Sequence, residues 1–450
     1  MNASSLKVAV VGSGPAGFYT ADALLKSEQP AVAVDVLDRL PTPWGLVRLG
    51  VAPDHENIKA VSRAFEKTAA RPGFRFLGNV EVGEAVSHAE LLAHYDAVVY
   101  TVGAQTDRRL GIPGEDLPGS WAATEFVAWY NGHPDFQDCV FDLSHERAVV
   151  IGNGNVAIDC ARMLALTAEE LAPTDTTPAA IEAICGSGLE EIVMLGRRGP
   201  VQAAFTPPEL KELGELEGSD VIVDPNDLRL DAASERALEE DRERARRNYE
   251  LLGEFAERPP AGKPRRIVLR FLVSPVAIVG GDRVEAIEVV HNELVEEDGR
   301  IVARPTGATE LIPAGLVLRS VGYKGIALPG VPFDEGSGTI PNHEGRVVGA
   351  ERTYVAGWIK RGPSGVIGTN KKDATETVEL LLDDARAGRL AHVGGGPSLD
   401  DLLAARGVKF VDHSGWQAID AAERAAGEPL GRPRVKLTGW DELLQTGGAS

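Results

Sequence analysis

The first strongly patterned segment, Leu6-Lys7-Val8-Ala9-Val10-Val11, is a short run rich in β-branched residues. It leads into Gly12-Ser13-Gly14-Pro15-Ala16-Gly17, and from Phe18 to Leu25 the apolar residues take up helical spacing. Such an order predicts a buried strand, a glycine turn and a helix with one apolar stripe. The same order returns later in the chain. Arg147-Ala148-Val149-Val150-Ile151 is followed by Gly152-Asn153-Gly154-Asn155-Val156-Ala157 and then by helical spacing from Ile158 to Leu166.

A single G-x-G-x-x-G match is weak evidence, whereas two copies in strand–turn–helix context point to two dinucleotide-binding halves. The chemistry is that of a pyrophosphate. The first glycine makes the tight turn, the second lets the backbone approach the phosphates, and the third position must be small so that helix and strand can pack. Free N–H groups at the helix start then meet the negative charge. Candidate contacts are therefore Gly12, Gly14, Pro15, Ala16 and Gly17 in the first copy, and Gly152, Asn153, Gly154, Asn155 and Val156 in the second.

The copies differ at the end of the following strand. Val32-Ala33-Val34-Asp35-Val36-Leu37 ends at Asp38, a carboxylate suited to ribose hydroxyls. Glu191-Ile192-Val193-Met194-Leu195-Gly196 ends in Arg197-Arg198, whose guanidinium groups suit a 2′-phosphate. The first site is expected to take FAD and the second NADP. Late in the chain, a strand predicted over Thr353 to Trp358 runs into the glycine-rich stretch Ile359 to Asn370, with a helix expected from Lys371 to Leu382. That return places the late segment with the first domain, its backbone amides near a flavin ring. The expected fold class is α/β, with two Rossmann-like dinucleotide-binding domains, an arrangement that resembles glutathione reductase. The FAD domain comprises residues 1–104 and 325–450, with a C-terminal helical cap, and the NADP domain, 105–324, is inserted into it.

Composition narrows the partners. The 450 residues are 43% hydrophobic and 25% charged, as expected of a multi-domain globular chain. Forty-six basic against 67 acidic residues give a net charge of −21, which argues against nucleic acid and anionic membranes as partners. No uncharged apolar stretch approaches the roughly 18 residues of a membrane span, and the N-terminal apolar run is too short for a signal peptide core. A cytoplasmic location is expected. Cys139, Cys160 and Cys185 form no C-x-x-C or metal-ligand pattern, so three small buried thiols are expected, with no metal site and no redox dithiol.

The chain resembles adrenodoxin reductase and the bacterial ferredoxin–NADP reductases of that type, from about Val8 to about Leu382. The resemblance rests on Pro43-Trp44-Gly45-Leu46-Val47-Arg48-Leu49-Gly50-Val51-Ala52-Pro53-Asp54-His55, on Gly196-Arg197-Arg198-Gly199-Pro200-Val201-Gln202-Ala203-Ala204-Phe205-Thr206, and on Gly357-Trp358 through Asn370. The wider superfamily usually has an Asp near Gly357-Trp358, a departure that the adrenodoxin reductase subgroup shares. The resemblance implies FAD contacts at Ala16, Asp38, Gly45, Leu46 and Val82, Trp358 against the flavin, and Gly365, Val366 and Ile367 near its ring. It implies NADP contacts at Arg108, the loop Asn153 to Val156, Arg197, Arg198, Glu209 and Gly365.

The implied activity moves electrons from NADPH through FAD to a ferredoxin of [2Fe–2S] or [4Fe–4S] type, which could in turn feed a cytochrome P450. The working form is expected to be a monomer. Reduction of a flavin takes up a proton, so a titratable group near the ring is useful. The resemblance places His55 there, with Glu212 and Asp159 as nearby carboxylates; His55 either passes a proton or orients a loop. Glu209 and Glu212 lie three apart on a helix expected after Pro207-Pro208. A helix expected from Arg236 to Glu257 carries Arg242, Arg244, Arg246 and Arg247, a candidate docking face for an acidic ferredoxin. Glu239, Glu240, Glu243 and Glu250 could instead pair with those arginines within the helix. A diaphorase that reduces quinones or another small molecule, a non-catalytic flavoprotein subunit and, on fold alone, a flavin monooxygenase are the rival functions.

Overall fold

In the computed structural model, residues 5–241, 243–365, 367–390 and 398–449 are described. The chain divides into two compact units, one formed by Met1–Thr106 with Gly322–Ser450 and the other by Asp107–Val321.

The first unit is built on a seven-stranded sheet. Its parallel part runs, in spatial order, through Thr353–Val355, Ala97–Tyr100, Leu6–Val11, Val32–Asp38 and Phe74–Gly78. Leu6–Val11 lies inside it, with parallel neighbours on both sides. Its residues are buried except Lys7, as an internal parallel strand covered on both faces requires. The helix Pro15–Leu25 starts on proline, which loses nothing because the first-turn N–H has no helical partner. It buries Ala16, Phe18, Ala21 and Leu24 and packs along the helix Ile367–Arg386. The chain crosses the sheet between Leu6–Val11 and Ala97–Tyr100, where connections leave in opposite directions and open a crevice at the strand ends.

The second unit repeats the plan. Six parallel strands lie in the order Ser120–Ala122, Leu316–Arg319, Arg147–Ile151, Glu191–Leu195, Arg265–Arg270 and Ser219–Val223. The helix Asn155–Ala165 buries Ala157, Ile158, Cys160, Ala161 and Met163 beside them. A separate antiparallel sheet joins Val273–Val279, Ala286–Glu297 and Arg300–Pro313.

Several elements depart from the sequence expectation. The late strand is only Thr353–Val355, because Gly357 takes φ +82° and starts a single turn of helix, Trp358–Arg361. The helix expected from Lys371 to Leu382 begins at Ile367 and reaches Arg386. Its glycine and asparagine suggested loop, but buried Asn370, Asp373, Thr377 and Leu381 anchor that face, and tertiary packing overrides propensity. The helix expected over Arg236 to Glu257 is two helices, Ala232–Glu240 and Arg244–Glu257. At the break the Asp241 carboxylate accepts the Arg244 N–H at 3.0 Å, a side chain competing with the helix for a backbone donor. Only Cys160 is a buried thiol; Cys139 is half-buried, and Cys185 is exposed at the end of the helix Pro178–Cys185.

After Arg386, the helices Leu399–Ala405, His413–Gly427 and Trp440–Thr446 complete the first unit. Among the described residues, no helix is long and apolar enough to cross a membrane.

Candidate functional site

The three glycines of the first fingerprint have separable jobs. Gly12 takes φ +103°, and a Cβ there would meet the Thr101 backbone at 2.8 Å. A Cβ on Gly17 would fall 2.0 Å from the Gly12 carbonyl oxygen, so this position closes helix onto strand. Gly14 has ordinary φ and ψ, and a Cβ there would meet nothing within 4 Å. The second glycine thus leaves open space at the helix start, which is where a pyrophosphate fits.

Asp38 ends the next strand and is tied to the same turn. Its Oδ2 accepts the Ser13 N–H at 2.8 Å and the Ser13 hydroxyl at 2.5 Å, while Oδ1 accepts the Leu40 N–H at 2.9 Å. Burial raises the Asp38 carboxyl, against the lowering effect of those bonds. A carboxylate oxygen has further lone pairs, so Asp38 can hold the turn and a ribose together. The Pro-Trp-Gly segment closes over this loop. Trp44 has φ +84° and donates its N–H to the Ser13 carbonyl at 2.9 Å, and a Cβ on Gly45 would lie 3.0 Å from the Gly14 Cα. Leu46 opens the short helix Leu46–Leu49 with an exposed side chain. Val82 is buried in a small bridge with Val86 after the strand Phe74–Gly78.

The late segment reaches the same turn. A Cβ on Gly357 would lie 2.6 Å from the Ala16 Cβ, so only glycine fits there. The Gly357 N–H donates at 2.5 Å to Asp373, which also pairs with Lys360 at 2.9 Å. A carboxylate is therefore present at this place, delivered from the following helix. Trp358 packs against Tyr323 with ring centroids 5.4 Å apart, and its indole N–H is buried with no hydrogen-bond partner in the protein. An orphaned donor of this kind fits a bound heteroaromatic group such as a flavin. Gly365 takes φ +81° two residues before the helix that Ile367 opens; Val366 lies outside the described residues. His55 is half-buried and accepts the N–H groups of Ile58 and Lys59 at its own carbonyl, starting the helix Glu56–Lys59.

In the second unit Gly152 takes φ +140°, with a Cβ position 2.2 Å from the Ser320 carbonyl, whereas a Cβ on Gly154 would meet nothing within 4 Å. Buried Ala157 stands at the third position. The turn is fixed to Ala203–Thr206: the Asn153 carbonyl accepts the N–H groups of Ala204 and Phe205 at 2.8 and 3.0 Å, and Asn155 Oδ1 accepts that of Thr206 at 2.8 Å. Val156 is half-buried on the helix that follows, and Arg108 is exposed. Arg197 is exposed and Arg198 half-buried just beyond the strand Glu191–Leu195.

Glu209 and Glu212 are carried by the helix Pro207–Leu213. Arg162, on the helix Asn155–Ala165, is only 2% exposed. It donates to Asp159 at 2.6 Å and approaches Glu212 to 4.0 Å. Burial lowers the pKa of Arg162, against the opposing pull of Glu212 and Glu209. One guanidinium thus joins Asp159 and Glu212, two carboxylates singled out from the sequence, and sequence reasoning missed it. The available signal was its place three residues after Asp159, on the same helix face.

The candidate docking arginines are split by their partners. Arg247 pairs with Glu250 at 3.2 Å and Arg244 with Asp241 at 3.4 Å, both at half-exposed positions, while Arg246 is exposed. Arg242 lies outside the described residues.

Comparison with known proteins agrees with this geometry. The family described as pyridine nucleotide-disulphide oxidoreductase matches residues 6–194. The chain is 53% identical to the NADPH-ferredoxin reductase FprA of Mycobacterium leprae, over 98% of each chain. It is 43% identical to the human mitochondrial NADPH:adrenodoxin oxidoreductase, over 98% of this chain and 91% of that one. The structure of Mycobacterium tuberculosis FprA in complex with NADPH superposes with a TM-score of 0.94 at 52% identity, covering 99% of this chain and all of the other.

Proposed function

From the premise that the chain belongs to the NADPH-ferredoxin reductases of the adrenodoxin reductase type, we propose that its two glycine turns divide the work, FAD on the first and NADPH on the second. The protein is a flavoprotein oxidoreductase that transfers electrons from NADPH to a ferredoxin. When bound, FAD supplies the conversion of a two-electron donor into one-electron steps.

The observation that carries the division is the chemistry at the ends of the two second strands. Asp38 holds Ser13 in the first turn and offers further acceptor capacity to ribose hydroxyls. Arg197 and Arg198 offer positive charge for a 2′-phosphate in the second. Gly14 and Gly154 each leave the backbone bare for a pyrophosphate. Gly357 and Ala16 keep the first turn narrow, and Asp373 fixes the Gly357 amide.

The remaining roles follow from chemistry. Trp358 offers its indole N–H and ring to the flavin. His55 supports proton uptake at the flavin or shapes the loop beneath it. Arg162 orients Asp159 through a direct hydrogen bond and sets its positive charge beside Glu212. Arg246 and Arg247 stand on the helix face offered to an acidic ferredoxin, whose approach positive charge would accelerate. In its finer form the reading has a cytoplasmic monomer whose ferredoxin serves a cytochrome P450. Sedimentation tests the oligomeric state, cell fractionation the location, and reconstitution of the P450 chain the last step.

The direct test is NADPH-driven cytochrome c reduction with and without a [2Fe–2S] or [4Fe–4S] ferredoxin. Strong stimulation that fades at high salt is the expected result. Rapid quinone reduction with no effect of any ferredoxin would favour the diaphorase instead.

A further inference from the structure

Most arginines inside this acidic chain meet carboxylates. Arg147 and Arg266 share Glu191, Arg319 pairs with Glu115 at 3.0 Å, and Arg346 and Arg389 share Asp384. Arg198 departs from that pattern. It is half-buried, it follows Arg197 directly, and among the described residues neither has a carboxylate partner.

The surroundings hold both residues in place. Asn292 Nδ2 donates to the Arg197 carbonyl at 2.9 Å, and the Leu272 N–H donates to the Arg198 carbonyl at 3.1 Å. The next turn, Pro200–Gln202, packs against the helix Arg244–Glu257. Gln202 is tied at 3.0 Å to Ser234 of the preceding helix. Arg244 is the first residue of the helix that packs on this turn. The proton affinity of Arg198 is lowered first by burial and then by the positive charges of Arg197 and Arg244. Packing of the Pro200–Gln202 turn on the helix that Arg244 opens brings three guanidinium groups into one neighbourhood, two of them without a carboxylate partner, and a bound anion would relieve their mutual repulsion. A phosphate dianion with three acceptor oxygens matches that arrangement.

We propose that Arg244 is the third guanidinium of the 2′-phosphate site, a specificity residue for NADPH rather than a docking residue for ferredoxin. The inference rests on the reading of Arg197 and Arg198 as 2′-phosphate ligands. The Arg244–Asp241 pair does not oppose it: at 3.4 Å and half-exposed, such a pair contributes little and gives way to a dianion. The basic face then has two duties, with Arg244 turned to the nucleotide and Arg246 and Arg247 left for the iron–sulfur partner.

The test uses the FAD-loaded enzyme and calorimetric titration with 2′,5′-ADP and with 5′-AMP, which lacks the 2′-phosphate. Arg244→Gln is expected to weaken 2′,5′-ADP by about tenfold, the size of one charge-assisted contact, and to leave 5′-AMP unchanged. Arg244→Lys should recover part of the loss. In turnover, Arg244→Gln should raise the KM for NADPH and leave the KM for ferredoxin unchanged. Unaltered 2′,5′-ADP binding, or a raised ferredoxin KM with an unaltered NADPH KM, would overturn the proposal. Arg198→Gln measured in parallel separates the two levels. If it weakens 2′,5′-ADP while Arg244→Gln does not, only the role of Arg244 fails. If neither variant alters 2′,5′-ADP binding, the 2′-phosphate reading fails with it.

Discussion

Arg48 and Glu423 lie 375 residues apart in the chain and form a bidentate ion pair inside the first unit, with side chains 3% and 0% exposed. Arg434 joins Glu423 at 3.0 Å, and the Leu437 N–H donates to the same carboxylate at 3.0 Å. The guanidinium groups of Arg48 and Arg434 lie over Trp416 and Trp44, whose rings meet edge to face at 4.8 Å. The late helix His413–Gly427 thus grips the Pro-Trp-Gly segment, and Trp44 in turn holds the Ser13 carbonyl of the glycine turn.

Removing one member of such a network leaves buried charge without compensation. Glu423→Gln is expected to destabilise the first unit by about 3 kcal/mol, read by chemical unfolding, and to loosen FAD retention with it. Burial alone would raise the Glu423 carboxyl, but Arg48 and Arg434 hold it below its ordinary value. A carboxyl lowered in the folded state stabilises above the ordinary carboxylate range and loses that contribution as pH falls through and below it. The wild type should therefore lose its advantage over Glu423→Gln on moving from pH 7 to strongly acidic pH. A constant difference across that range would show that the ionised Glu423 is not the source.

The glycines of the fingerprint should separate by phenotype. Gly14→Ala keeps an allowed backbone and meets no protein atom, so the variant should fold normally and bind FAD weakly, seen as loss of flavin absorbance on gel filtration. Gly17→Ala forces a Cβ to 2.0 Å from the Gly12 oxygen and should lower stability itself, with overpacking of this kind costing about 1–3 kcal/mol or more. Gly154→Ala is the counterpart in the second unit, expected to raise the KM for NADPH while the flavin spectrum is unchanged. Equal FAD loss in Gly14→Ala and Gly154→Ala would contradict the division of cofactors.

Selectivity for the phosphorylated coenzyme should rest on the unpaired arginines. The double variant Arg197→Ala, Arg198→Ala is expected to reduce the ratio of kcat/KM for NADPH over NADH by about a hundredfold, from two charged hydrogen-bonding partners lost. NADH turnover should hardly alter. The measurement is steady-state reduction of a small dye with each coenzyme, and an unchanged ratio would remove the 2′-phosphate assignment.

Much of this site was legible because dinucleotide binding is local chemistry. Strand, glycine turn, helix and the residue ending the next strand are close in sequence, so Gly14, Asp38, Gly154 and Arg198 can be found from spacing. Partnerships across the chain leave no such trace. Nothing near Arg48 points to Glu423, and nothing near Gly357 points to Asp373, because the pairing follows from how the returning segment packs. The long helix Ile367–Arg386 was misjudged for the same reason: glycine and asparagine weaken local propensity, while buried Asn370 and Asp373 are satisfied only in the folded unit. The division of Arg236 to Glu257 into two helices was hidden by its unbroken run of charged residues of both signs, and the Asp241 bond to Arg244 marks the break.

Docking of the iron–sulfur partner is the least local property and the most sensitive to salt. The chain carries a net charge of −21, so an acidic ferredoxin is repelled at long range and must be drawn in by a local patch. Arg246 is exposed, and Arg247 shares its charge with Glu250 and Glu254 at 3.2 and 3.8 Å. Exposed pairs of that kind are weak, leaving much of the field of Arg247 available. Charge reversal at both positions, Arg246→Glu with Arg247→Glu, is expected to lower kcat/KM for ferredoxin by about tenfold at low salt and progressively less as salt rises. NADPH-driven reduction of ferricyanide should remain at the wild-type rate. Equal slowing of both acceptors would mean that the change acts on hydride entry or on the fold, and the docking face would then have to lie elsewhere on the molecule.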